Sequence, residues 1–210
     1  MRLFRVVVGS LAMGLLSCTS EPPDFASESW LVASETCVAD VIPVASVPIM
    51  SMESSCSENT DACWQACWSG HGESCYHLAL EEQRQEVSDE RSQALFRMAC
   101  ERGIDSGCTN YAAGIFDWAM DDEETHAEPL ACANRAFEES CSRGDAWACT
   151  MFGLSLFRGI GRDVDYQRAL EVVPGGCVHG PDDEACQGAK RIEAAARAAI
   201  EEQEDPQSMN

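Results

Sequence analysis

Thirteen cysteines and four histidines in 210 residues raise the first chemical question, which is whether the thiols hold a metal, attack a substrate or pair with one another. One stretch suits a metal: Cys63-x3-Cys67-x3-His71-x3-Cys75 offers four zinc-ligand side chains at even spacing. Gly70 and Gly72 break the helical face that would align them, and Cys67 and Cys75 belong to a spacing that recurs further on. Cys67-x7-Cys75, Cys100-x7-Cys108 and Cys141-x7-Cys149 share it, and Cys177-x8-Cys186 differs by one residue. Pairing therefore leads, with Cys67–Cys75, Cys100–Cys108, Cys141–Cys149 and Cys177–Cys186 as the predicted disulfides and no metal site. Cys37, Cys56, Cys63 and Cys132 allow three pairings among themselves, and the sequence does not choose.

Nucleophilic chemistry has less support. A serine β-lactamase needs Ser-x-x-Lys, whereas the single lysine, Lys190, follows Gln187 by three residues, and Gly-x-Ser-x-Gly is absent. His77, His126 and His179 have no acid or nucleophile at a recognisable spacing and read as surface or capping residues. No catalytic residue and no cofactor is predicted. Trp64, Trp68, Trp118 and Trp147 are the residue type that anchors peptides, although burial between helices is the expected fate of most of them.

The elements that would position these cysteines are helices. The first members of the pairs lie 33, 41 and 36 residues apart, the period of a helix-turn-helix repeat with variable loops. Cys100-Glu101-Arg102-Gly103 and Cys141-Ser142-Arg143-Gly144 finish a helix with a basic residue and a glycine, a stop signal. Asp105 and Asp145 are placed to cap the helix that follows. Each pair thus brackets a turn, one thiol ending a helix and the other opening its antiparallel partner. Leu95, Phe96, Met98 and Ala99 form one core-facing stripe, and Ala133, Ala136 and Phe137 form another.

The N-terminus addresses compartment. Arg2 and Arg5 precede an apolar run from Val6 to Leu16, with the charge and length of an export signal and too short to span a bilayer as a helix. Leu15-Leu16-Ser17-Cys18 resembles the bacterial lipobox, which implies cleavage before Cys18 and lipidation of that residue. Export into an oxidising compartment agrees with the cysteine usage. Loss of residues 1–17 leaves 12 basic against 36 acidic side chains, a formal charge of −24. Such a surface repels phosphate backbones, so nucleic acid is excluded as a partner and the membrane is reached through the lipid. A protein or peptide partner remains. The expected organisation is a signal peptide over 1–17, an extended tether over 18–58 interrupted by prolines, a repeat domain over 59–200 closed by a polar helix from about Asp183 to Glu202, and a disordered acidic tail over 201–210.

Gly144-Asp145-Ala146-Trp147-Ala148-Cys149, then Phe157-Arg158-Gly159-Ile160-Gly161-Arg162-Asp163 and Asp165-Tyr166-Gln167-Arg168-Ala169-Leu170, resemble the Sel1-like repeat family, in particular its cysteine-rich secreted branch known from helicobacter cysteine-rich proteins. A plain tetratricopeptide array would lack the glycine loop and the paired cysteines. The resemblance covers about residues 59–200 and is specific in one repeat. Asp121-Asp122-Glu123-Glu124 replaces the glycine loop between the second and third units, and Pro174-Gly175-Gly176 interrupts the fourth. It implies an all-α, right-handed solenoid of three to four Sel1- or TPR-like helix pairs stapled by disulfides. The implied function is a non-catalytic protein- or peptide-binding scaffold or adaptor, exported and lipid-anchored at the bacterial cell envelope, in the outer membrane or facing the periplasm. Some members of that branch carry a penicillin-binding or β-lactamase label, which makes such an enzyme the alternative. A purely structural spacer is a third reading.

Overall fold

A computed structural model describes residues 37–45, 47, 56, 59–86 and 89–204; the predicted signal segment, Cys18 and the final six residues lie outside the described residues. Among the described residues there is no β-strand, and eight α-helices follow one another. They are α1 (Thr60–Trp68), α2 (Gly72–Arg84), α3 (Asp89–Glu101), α4 (Asp105–Ala119), α5 (Ala127–Ser142), α6 (Ala146–Arg158), α7 (Tyr166–Val172) and α8 (Glu184–Glu204). Each packs mainly on its neighbours in the chain, with further contacts from α4 to α6 and from α6 to α8. α8 runs to Glu204, through the first residues of the expected tail.

One turn is used four times. Gly70, Gly103, Gly144 and Gly180 each stand three residues after the first cysteine of a pair, all with φ between 88° and 108°, a region where a Cβ would strain the backbone. Each glycine N–H donates to the carbonyl of that cysteine, at 2.9–3.0 Å. The next residue in the first three turns stands at the N-cap: His71, Ile104 and Asp145. His71 Nδ1 accepts from Ser74 N–H at 3.3 Å and Asp145 accepts from Ala148 N–H at 2.8 Å. Asp105, expected as a cap, is instead the first helical residue, because the register of the turn gives the cap to Ile104, whose side chain is buried and supplies no cap bond.

The fourth pair reaches the same turn by a different route. α7 is short and passes into a 3-10 segment, Val173–Cys177, that carries Pro174-Gly175-Gly176. A Cβ on Gly175 would meet Cys149 Sγ at 2.5 Å, so the interruption lets this segment lie on the disulfide of the preceding pair. The acidic stretch after α4 likewise forms a 3-10 turn, Met120–Asp122, closed by Thr125 N–H donating to Asp122 Oδ1 at 3.2 Å.

The core follows the stack as successive clusters. Trp64, Leu78, Leu95, Phe96 and Ile104 close the first, and Phe116, Leu130, Phe137, Phe152 and Leu156 the second, with Phe116 and Phe137 edge to face at 5.7 Å. Val173, Ala189 and Ile192 close a third. Residues 37–45, expected within a tether, belong to this body. Val38 is fully buried in the second cluster, Cys37 is bonded to Cys132 of α5, and the Pro43 carbonyl accepts from Arg143 at 2.5 Å. Val47 N–H then donates to Gly103 O at 2.7 Å, so the segment runs from the third helix pair back toward the second, across their turns.

Among the described residues six disulfides are formed: Cys37–Cys132, Cys56–Cys63, Cys67–Cys75, Cys100–Cys108, Cys141–Cys149 and Cys177–Cys186. In the chain-entropy model a loop of 95 residues contributes about 4.7 kcal/mol and a loop of 8 about 2.5 kcal/mol. The double variant C37A/C132A should therefore lose about 2 kcal/mol more in denaturant unfolding than C141A/C149A. Equal losses would mean that the long bridge closes a loop already formed in the unfolded chain.

Candidate functional site

The thiol chemistry is settled by the pairing: Cys63 is bonded to Cys56 and Cys67 to Cys75, while His71 caps α2, so all four members of the possible zinc set have other work. Among the described residues no group of three or more potential ligands is assembled for a metal ion. Lys190 is exposed on α8 with Gln187 on the preceding turn. His77 Nε2 lies 3.6 Å from Glu73 of its own helix, and His179 is exposed in the fourth turn.

The arrangement gives prominence to the residue after the second cysteine of each of the first three pairs, which the spacing of the cysteines did not single out. Tyr76 follows Cys75, Thr109 follows Cys108 and Thr150 follows Cys149. Each reaches into the next pair. The Tyr76 phenol hydrogen-bonds Ser106 and Asn110 of α4, and burial, with the Asp145 charge adding to it, pushes its pKa up. Thr109 donates to Asp145 Oδ1 at 3.0 Å, and Thr150 donates to the Ala185 carbonyl at 3.0 Å. Asp145 also accepts from Ser106 at 2.6 Å, so one carboxylate caps α6 and ties α4 to it. A pattern of Cys followed by a hydroxylated residue was the available signal.

Arginines in the turns repeat the same logic. Arg102 of the second turn meets the Cys67–Cys75 sulfurs of the first pair. Arg143 of the third turn reaches Asp105 at 3.4 Å and Glu139 at 2.7 Å. Successive pairs are thereby held in one register by polar contacts at their turn ends.

At the opposite end of the α3–α4 hairpin lies a groove of about 610 Å³. Asp89, Glu90, Ser92 and Gln93 enter it from α3, Asn110, Ala113, Gly114, Asp117 and Trp118 from α4, and Gln83 from the end of α2. The tryptophans divide against expectation: Trp64 is buried and Trp68 partly so, but Trp118 is 58% and Trp147 41% exposed. Trp118 stands in the last turn of α4, and the His126 ring packs on its indole at 4.1 Å between centroids, which holds the large apolar surface at the groove rim. Gln93 Oε1 is buried and has no hydrogen-bond partner among the described residues. Asp117 is exposed, yet partial desolvation of its carboxyl by the neighbouring groove raises its pKa from the ordinary value. Carboxylates, an unpartnered amide oxygen and an exposed indole thus stand side by side in this groove.

No family model matches the chain, and no curated protein or solved structure matches it either.

Two outcomes follow. Asp145→Ala removes a cap and two acceptors between repeats and should cost about 2–3 kcal/mol in denaturant unfolding, with a coupling of about 1 kcal/mol to Thr109→Val in a double-mutant cycle. Additive losses would show that the link between repeats carries no energy. A carboxyl whose folded pKa is raised binds its proton more tightly in the folded state, so the stability it contributes is present in acid and is lost as pH rises through the folded pKa. Asp117→Asn should therefore be at least as stable as the parent at neutral pH, with any gain vanishing in acid, as read by thermal unfolding across pH.

Proposed function

We propose that this chain is an exported, lipid-anchored scaffold of Sel1-like type, whose helix pairs stack as a right-handed solenoid and whose exposed side surface captures a protein or peptide at the bacterial cell envelope. The observation that carries the reading is the repeated turn with its link to the next pair, Tyr76, Thr109 and Thr150 bonding forward in succession. Pairs locked in one register present a preformed surface, and a preformed surface binds an extended partner without the cost of ordering itself. Six disulfides suit an oxidising compartment outside the cytoplasm, in keeping with export. No helix among the described residues is long and apolar enough to cross a membrane, and attachment would come through lipid on Cys18. The acidic surface favours a basic partner over an anionic one.

The test has two arms. Full-length chain expressed with its own N-terminus in a bacterial host should yield a membrane-fraction protein whose first residue is acylated Cys18, read by intact mass under non-reducing conditions. A photo-crosslinking residue placed at position 118 should give a discrete adduct with an envelope protein or peptide, whereas one at position 163, exposed in the α6–α7 loop, should not. Equal labelling at both positions, or none, contradicts a specific scaffold surface. Turnover of a chromogenic β-lactam by the purified protein, lost on substitution of one serine, would replace the scaffold by the enzyme.

A further inference from the structure

We propose that the groove between α3 and α4 is an arginine pocket, taking the guanidinium of an extended basic peptide between the Trp118 indole and the Gln93 and Asp117 side chains; this rests on the scaffold reading and assigns its partner a chemistry. Four features of the groove converge on that group.

The first is an unmet acceptor. Gln93 Oε1 is buried against Gly114 without a hydrogen-bond partner among the described residues, which costs free energy until the amide turns into the groove and meets a donor. The second is charge. Asp89 and Asp117 contribute carboxylates, and among the described residues no lysine or arginine lines the groove. Asp117 also lies in the last turn of α4, where carbonyl groups at the negative end of the helix dipole favour a cation. The third is the exposed indole at the rim, steadied by His126, whose face attracts a planar cation. The fourth is preorganisation: the Asn110 amide is already held by the Ser106 carbonyl at 2.7 Å, in the same network that locks the second pair to the third.

Guanidinium fits these features better than ammonium. It is planar, so it can lie on the indole, and its forked donors can serve an amide oxygen and a carboxylate together. Lysine offers a point charge that keeps its water more strongly. A groove of about 610 Å³ holds the side chain with adjoining backbone, so the natural ligand is a residue within a peptide. The partial desolvation that raises the Asp117 carboxyl is offset when a cation pairs with it.

The experiment uses the mature, oxidised chain labelled with nitrogen-15. Acetyl-Gly-Arg-Gly-amide is titrated at physiological ionic strength, where stray attraction to an acidic surface is screened, and compared with the citrulline tripeptide, its neutral isostere. Saturable shifts are expected at the Trp118 indole N–H and the Gln93 carboxamide, and the citrulline peptide should leave both in place. Asp117→Asn should weaken the arginine peptide roughly tenfold, the loss of one charge-assisted hydrogen bond, while Asp163→Asn, which removes the same charge from an exposed loop, should change it little. Trp118→Ala should weaken it as well. Equal binding of citrulline, or equal weakening by Asp163→Asn, overturns the pocket. Shifts confined to another face of the stack overturn it too, while leaving the scaffold reading intact; no shift anywhere removes both.

Discussion

A glycine in the left-handed region, three residues after a helix-ending cysteine, reverses the chain so that the next helix brings a second thiol against the first. Other features follow from that closure. With the two helices of a pair fixed at one end, small residues suffice between them, and the buried surface can be divided into modest clusters of phenylalanine and leucine instead of one large core. The disulfides then become surfaces in their own right. Arg102 lies over the first pair's sulfurs, and Gly175 lies on those of the third pair. A staple within one pair is thus a packing site for another.

Much of this could be read from spacing because disulfide turns are local. Four pairs of cysteines at separations of 8 or 9 leave little freedom in how a helical chain brings them together. What spacing conveyed poorly was register. Asp105 and Asp145 look alike as caps, yet only Asp145 follows its glycine directly, and that one-residue offset decides which of them caps a helix and which begins one. The choice of Cys37 for Cys132 was closed to sequence reasoning for a different cause. A bridge over 95 residues depends on where the third helix pair sits relative to the N-terminal segment, which no local pattern encodes. Burial of Val38 gives the energetic reason for that placement: an apolar side chain enters the second cluster and brings its neighbour Cys37 to α5.

The groove was harder to foresee than the frame. Its residues come from positions 83–118 on three helices and carry no motif, and the two tryptophans that remain at the surface look no different in sequence from the two that do not. The distinction is positional. Trp64 points into the first cluster from the middle of a short helix, whereas Trp118 stands at a helix end, where the chain turns into an acidic 3-10 segment and, among the described residues, no further helix covers it. The acidic stretch after α4 therefore changes more than loop chemistry, because it leaves an aromatic surface open beside carboxylates.

The Cys37–Cys132 bridge also decides how the molecule bears tension. A pull between the segment at Cys37 and the C-terminal helix travels from Cys37 through sulfur to Cys132, and residues 38–131 lie outside that path. The first two helix pairs, with the groove between α3 and α4, hang as a closed covalent loop beside the load-bearing line. Stretching the protein between Cys37 and its C-terminal helix would strain α5 to α8 first and leave the groove's geometry unloaded until a disulfide itself gave way.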